Sequence, residues 1–514
     1  MQPTSVRSTL IKIALLAVVD AIAVFAATVL FFQENWIVLG VLAVGTVIVN
    51  WVYLSPGLLP GKYLTPGLIF LAIFQVFVIV YTLFIAFTNY GDGHNSDKED
   101  AIAAVVLQNT VRVEGSPAYR VTVVEGFEGL GLLATAPDGE VLVGSAEQPL
   151  APLDPSAVTL NDDVAVAAEG WTALALDQLL QRQREIADLQ VPFSDDLDDG
   201  FLRTTDARLG YQFQSTFVYD EAADTMTDTV NGVVYQDLGN GQFETTDGEV
   251  LGTGWQIFVG FDNFLKPFQE QRYGSALLGV LVWTFAFAIL SVALCFVLGL
   301  FLAITFNDAR MRSRKIYRIV MILPYAFPSF LAALVWLGLY NTQFGFINEV
   351  LFGSADIPWL SDPWLAKLSV LIVNVWLGFP YMFLVCLGAL QSIPEELTEA
   401  ATVDGANGWQ VFQRIKFPLL LVSTAPLLIA SFAFNFNNFN TIYLLTGGGP
   451  RILGVSENVG HTDLLITLVY KTAFEAGTGR EYGLASALAI IIFIIIATIS
   501  TIAFRQTKAL EELN

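Results

Sequence analysis

Eight long runs of apolar residues recur along the chain, at about 10–32, 36–54, 64–89, 275–306, 319–340, 365–393, 419–446 and 484–504. A helix needs roughly 20 such residues to cross the hydrocarbon core of a bilayer, so the pattern predicts a polytopic α-helical membrane protein with eight transmembrane helices. The third and fourth runs are the longest, which leaves room for tilt or projection. Between them the period changes. VVLQNTVRVEG, YRVTVVEGFEG and GEVLVGSA are β-branched and partly alternating, with Gly and Pro as punctuation, whereas WTALALDQLLQRQREIADLQ reads as one amphipathic helix. The chain thus divides into three N-terminal helices (1–89), a mainly β domain (90–274) and a five-helix core (275–514).

Composition supports this division. Of 514 residues, 54% are hydrophobic and only 14% charged, a membrane-protein profile. The loop NDARMRSRKIYR, 307–318, holds Arg310, Arg312, Arg314, Lys315 and Arg318, and the positive-inside rule places it in the cytoplasm. Counting spans from there puts both termini, 55–63 and 394–418 inside, and 90–274, 341–364 and 447–483 outside. Arg7, Lys12, Lys62, Arg505 and Lys508 agree with that orientation. The first apolar run is too long for a cleavable signal.

Residues 90–270 carry 32 of the 48 acidic and 8 of the 25 basic residues, a net −24 in a chain of −23. Such a region suits an extracytoplasmic soluble domain, whether the charge serves solubility or a partner, and it argues against nucleic acid and anionic membrane surfaces as partners. The two cysteines, Cys295 and Cys386, fall in predicted spans, so no disulfide framework holds the outer domain. His94 and His461 stand apart from any carboxylate or thiol cluster, so no metal site is expected. PGLLPGKY (56–63) fails as a phosphate loop because its glycines are too close and Tyr63 replaces the Ser/Thr. No catalytic constellation emerges, and any ATP-driven step falls to another polypeptide.

IPEELTEAATVDGANGWQVFQRIKFP, ending at Pro418, has Pro394 ahead of a helix-favouring run, breaks at Gly405 and Gly408, and a second amphipathic turn ended by Pro418. The order Glu399, Ala400, Ala401, Asp404, Gly405, Ile415, Pro418 resembles the EAA motif of permease subunits of binding-protein-dependent ABC importers, with Phe417 where that family has Leu. The resemblance implies that this segment is a coupling helix seated in a cleft of an ATPase subunit, with Glu399 paired to a basic residue there. Small Ala400 and Ala401 would allow close approach, and Gly405 a chain reversal.

Two stripes at helical spacing stand out within the spans. Asn374, Leu377, Gly378 and Tyr381 fall at i, i+3, i+4 and i+7, as do Ser431, Phe434, Asn435 and Asn438. Amides and a phenol are costly against lipid, so both stripes should face the bundle interior. By geometry alone they suit a neutral carbohydrate and interhelical hydrogen bonding equally well. Asn437 and Asn440 lie off the stripe and read as structural, and Asp20 reads as a paired or interfacial carboxylate rather than a functional one.

ILPYAFPSF, VNVWLGFPYMFLVCLGAL, SFAFNFNNF, LLTGGGP, GHTDLL and, near the start, IAFTNY resemble the MalF-type permeases of maltose/maltodextrin ABC importers, strongly over 270–514 and weakly over 91–260. The resemblance implies an inner-membrane permease for maltose, maltodextrins or a related α-glucoside, the alternative being a permease for another oligosaccharide or sugar, for example trehalose. It implies as partners a second, MalG-type permease, a MalK-type ATPase dimer that uses ATP and Mg, and an extracytoplasmic sugar-binding protein docking on the outer domain. It assigns the eight striped positions to the sugar site, with Gly378 leaving room for the ligand and Pro380 kinking its helix. The chain itself is expected to bind no cofactor. Two other classes fit less well: a membrane sensor, because the cytoplasmic segments are too short to signal, and an ion-coupled carrier, because proton-relay carboxylates and inverted repeats are lacking.

Overall fold

The computed structural model describes residues 6–511 apart from 34, 127–128, 155–156, 162–163, 195, 197–198, 270, 308–310, 456–457 and 476–478. Arg310 of the basic loop lies outside the described residues, as do the side chains of Arg7 and Lys508. The chain forms two units, residues 1–84 and 85–514.

The first unit contains α1 (Val6–Phe32), α2 (Trp36–Leu54), α3 (Leu59–Leu71) and the first residues of α4 (Phe77–Ile85). A five-residue π-turn at Ala72–Val76 joins α3 to α4, so Leu59–Ile85 is one span. It begins before the expected residue 64 because Pro60, whose missing N–H costs nothing in a first turn, starts the helix. The Asn50 amide donates to the Asp20 carboxylate over 2.6 Å, which ties α1 to α2 and accounts for a charge inside an apolar helix.

In the second unit α5 (Lys98–Gln108) opens a mainly β region whose described strands form sheets of nine, five and two. Val105–Gln108, expected as strand, belongs to α5, whose N-cap Asp97 accepts from Asp100 N. The antiparallel hairpin Tyr119–Gly126 with Gly129–Thr135 is central to the nine-stranded sheet, and its Val121, Val123, Leu130 and Leu132 share a buried core with Ile186, Leu189 and Val191. The segment expected as one amphipathic helix is split. Thr172–Ala173 pairs with the hairpin, and α6 (Leu176–Gln181) and α7 (Gln183–Asp188) are separated at Arg182. That side chain reaches both Glu185 and Glu125, an anchor that helical periodicity does not reveal. Across the five-stranded sheet lies α5, where Ala101 and Val105 pack on Met226, Phe243 and Trp255 and Lys98 bridges Asp224 and Asp237.

After α8 (Asp262–Gln269) come α9 (Gln271–Asn307), α10 (Arg314–Ile322), α11 (Ser329–Leu339), α12 (Pro363–Ser392), α13 (Glu395–Val403), α14 (Gly408–Val411), α15 (Phe417–Phe436), α16 (Phe439–Thr446), α17 (Leu465–Phe474) and α18 (Tyr482–Glu511). Among the described residues seven helices are long and apolar enough to span a membrane, and a bent pair makes an eighth. The expected span 319–340 is that pair. Arg314–Ala326 and Ser329–Leu339 meet at 90° because Pro328 forces Phe327 out of the helical region, to ψ 131°. Arg318 of the basic loop also closes the end of α9, donating to the Phe306 carbonyl and the Asn307 side chain.

Candidate functional site

A cavity of about 660 Å³ opens between α9, the bend at 323–328, α12 and the α15–α16 junction. All eight striped residues, Asn374, Leu377, Gly378, Tyr381, Ser431, Phe434, Asn435 and Asn438, line it. They meet because α12 runs unbroken through Pro380, keeping its four positions on one face, while the end of α15 and the N-cap of α16 present the other stripe opposite.

The three amides form a chain. Asn374 Nδ2 donates to Asn435 Oδ1 over 2.7 Å, and Asn438 Nδ2 donates to Asn374 Oδ1 over 2.7 Å. Asn435 Nδ2 in turn donates to the Ser431 carbonyl. Asn374 and Asn438 are buried, 6% and 8% exposed, so part of their bonding capacity holds α12 against the α15–α16 junction. Interhelical bonding and cavity lining therefore coexist in the same side chains. The Tyr381 ring stacks on Tyr325 from the bend, their centroids 6.4 Å apart, and Phe434 is 74% exposed within the lining.

One expectation needs correction. Asn437 and Asn440 are part of the lining, although a continuous helix would have turned them away. The helix stops at Asn437, and Asn438 caps α16 by accepting from Thr441 N, so the phase of the stripe changes there. Gly378 also does more than leave space for a ligand. A Cβ there would lie 2.8 Å from Cys295 Sγ, so the glycine permits the close approach of α12 to α9. Sequence reasoning missed Tyr325 and Ser329, which enter the cavity only because of the proline-directed bend. The signal was the pair Pro324 and Pro328 within an apolar run.

LLTGGGP and GHTDLL come together beyond the cavity. Buried Asp463 accepts from Gly460 N, Thr467 Oγ1 and Lys471 Nζ, the last at 2.9 Å, while Thr462 N donates to the Gly448 carbonyl. The Asp463 and Lys471 side chains are 0% and 5% exposed, and this pair fixes the loop between α16 and α17.

The opposite end of α12 leads into α13, where Glu399, Ala400 and Asp404 are exposed and Ala401 half-buried. Gly405 N donates to Thr402 O and Ala406 N to Ala401 O, with Gly405 at φ +86°, a left-handed turn that ends α13. Asn407 then caps α14 in a reciprocal pair with Gln410. Pro418 does not end the second helix as expected. It sits in the first turn of α15, and because it has no N–H the chain widens ahead of it into a π-turn over Phe412–Lys416, which includes Ile415. Val403 and Trp409 are 87% and 67% exposed, apolar residues beside the charged ones.

Residues 295–512 match the family described as the binding-protein-dependent transport system inner membrane component. Residues 69–147 match the N-terminal part of the transmembrane subunit in binding-protein-dependent ABC transporters. The maltose/maltodextrin transport system permease protein MalF of Vibrio vulnificus is 34% identical over 98% of this chain and 95% of its own length. MalF of Escherichia coli K12 is 34% identical over 87% of each chain. A bacterial ABC transporter involved in alginate import aligns with a TM-score of 0.42 and 24% identity, covering 49% of this chain and 84% of its own. Sequence identity sustained from the first spans to the last helix places the chain in the MalF family of maltose/maltodextrin transport system permeases.

Proposed function

We propose that this chain is the permease subunit that forms the membrane path for maltose, maltodextrins or a related α-glucoside in an ATP-driven importer working by alternating access. The observation that carries the reading is the cavity, which a chain of asparagine amides and the Tyr325–Tyr381 stack line together. Amides can donate and accept to sugar hydroxyls, and aromatic faces suit the apolar faces of pyranose rings. A neutral cavity without metal-ligand clusters among the described residues suits an uncharged cargo.

The partners follow from the same reading: a MalG-type second permease, a MalK-type ATPase dimer that binds ATP and Mg, and a sugar-binding protein outside. This chain supplies no ATPase chemistry and binds no cofactor itself. Its basic loop and both termini face the cytoplasm, and 90–274 lies outside as the docking region. The ATPase pushes on Glu399, Ala400, Ala401 and Asp404. α13 follows α12 directly and continues through α14 and the π-turn into α15, and those two long helices carry the two cavity stripes. A displacement at α13 therefore moves both walls of the cavity together.

Reconstituting the four components in proteoliposomes and comparing ATP-dependent uptake of labelled maltose, trehalose and cellobiose tests this function. Uptake of an α-linked disaccharide with exclusion of cellobiose is expected. ATP hydrolysis with no α-glucoside uptake would overturn the reading.

A further inference from the structure

A row of aromatic rings leaves the cavity and continues beyond it. Phe439, in the cavity lining, stacks on Tyr443 one helical turn on, with centroids 4.9 Å apart and planes at 17°. Tyr470 of α17 closes on both, at 4.8 and 4.9 Å. From Tyr470 the row passes to Phe474 at 5.1 Å, to Tyr482 at the start of α18 at 6.1 Å, and to Tyr90 at 5.3 Å. Every ring keeps accessible surface, and Phe474 is 56% exposed.

Polar groups flank the row. Asn458 Nδ2 donates to Glu475 Oε2 over 2.8 Å, and the Tyr443 phenol faces the same carboxylate. Tyrosines at the rim of a membrane protein commonly form an interfacial belt. A belt does not account for two features here. The rings form one contact chain that ends in the cavity wall, and a carboxylate held by an amide beside that chain is costly against lipid.

We propose that this row is an outer carbohydrate track, an extended subsite that holds the glucosyl units of an oligosaccharide too long for the cavity alone. The proposal rests on the reading of the cavity as an α-glucoside site. Pyranose rings lay their apolar faces on the aromatic rings while hydroxyls reach Glu475 and Asn458. Centres spaced 4.8 to 6.1 Å apart let the sugar advance toward Phe439 without losing ring contact.

The test uses the complete importer in proteoliposomes with sub-saturating maltose or maltoheptaose, comparing wild type with Tyr470→Ala, Phe474→Ala and Phe474→Trp. Maltoheptaose uptake should fall about fivefold or more in the alanine variants while maltose uptake stays within about twofold, and Phe474→Trp should retain both. Equal losses for the two sugars would make the row a packing element and overturn the proposal. Unchanged uptake of both would overturn it too, as would a wild type that carries maltose but no longer glucan. If Tyr470→Ala fails to assemble, Phe474→Ala decides, since its ring is more than half exposed. A wild type that carries no α-glucoside at all would instead count against the cavity reading.

Discussion

Asn374 occupies the middle of the amide chain, donating to Asn435 and accepting from Asn438. Replacing it with alanine removes a lining group and strands a donor on buried Asn438, at a cost of about 1 to 3 kcal/mol. Asn374→Ala should lower both the unfolding temperature of the purified complex and sugar uptake. Tyr381→Ala removes a ring face from the lining and its stack on Tyr325 but strands no buried polar group, so uptake should fall while assembly and basal ATP hydrolysis persist. Equal effects of the two variants on unfolding would argue against this division of labour. The Asp463–Lys471 pair makes a separate case. Lys471→Met leaves a buried carboxylate without its counter-charge, so roughly 3 to 5 kcal/mol of destabilisation is expected in thermal unfolding, and the double replacement Asp463→Leu with Lys471→Met should recover part of it. At this scale the α12 stripe was legible because its helix is unbroken. Asn437, Asn440, Tyr325 and Ser329 were not, because two local breaks reorient them and helical periodicity carries no information across a break.

Among elements, the segment from α12 through α13 to α15 joins the proposed coupling residues to the cavity. Gly405→Pro cannot adopt φ +86° and removes the N–H that bonds Thr402, so α13 loses its closing turn. Glu399→Lys reverses an exposed charge and leaves the fold intact. Both variants should insert normally and lose most uptake, with Glu399→Lys also losing ATPase on co-purification. Normal ATPase recovery with full uptake in both would refute a coupling role. The apolar spans were legible because the bilayer requirement writes a long, simple pattern, although the span expected at 419–446 begins at Gly408. The 90° bend between α10 and α11 was not, since its two prolines sit in a run whose hydropathy is uninterrupted. The split of the expected long helix was hidden for a different reason, the long-range pairing of Thr172–Ala173 with the hairpin and of Arg182 with Glu125, which local periodicity does not encode.

For the whole molecule, the mainly β region concentrates the net charge of the chain, and its sheets bury their own cores without disulfides. If it receives the binding protein, association of that protein with the assembled importer should weaken as salt rises from low to about 0.15 M, where screening acts over about 8 Å. Salt-independent association in a titration would contradict charge-guided docking. That a mainly β region lies between the third and fourth spans could be read from the change of hydrophobic period. Its strand order could not, because the sheet is ordered by long-range pairing rather than by local pattern. The central claim is that an α-glucoside passes through the cavity between α12 and α15. The most direct measurement is substrate protection of a thiol placed in the lining. Phe434→Cys, with Cys295 and Cys386 replaced by serine, is reconstituted with its partners and labelled with a maleimide during turnover. Maltose should slow labelling in proportion to its uptake, and cellobiose should leave it unchanged. Vigorous maltose uptake with no protection of Phe434→Cys would show that the sugar takes another route.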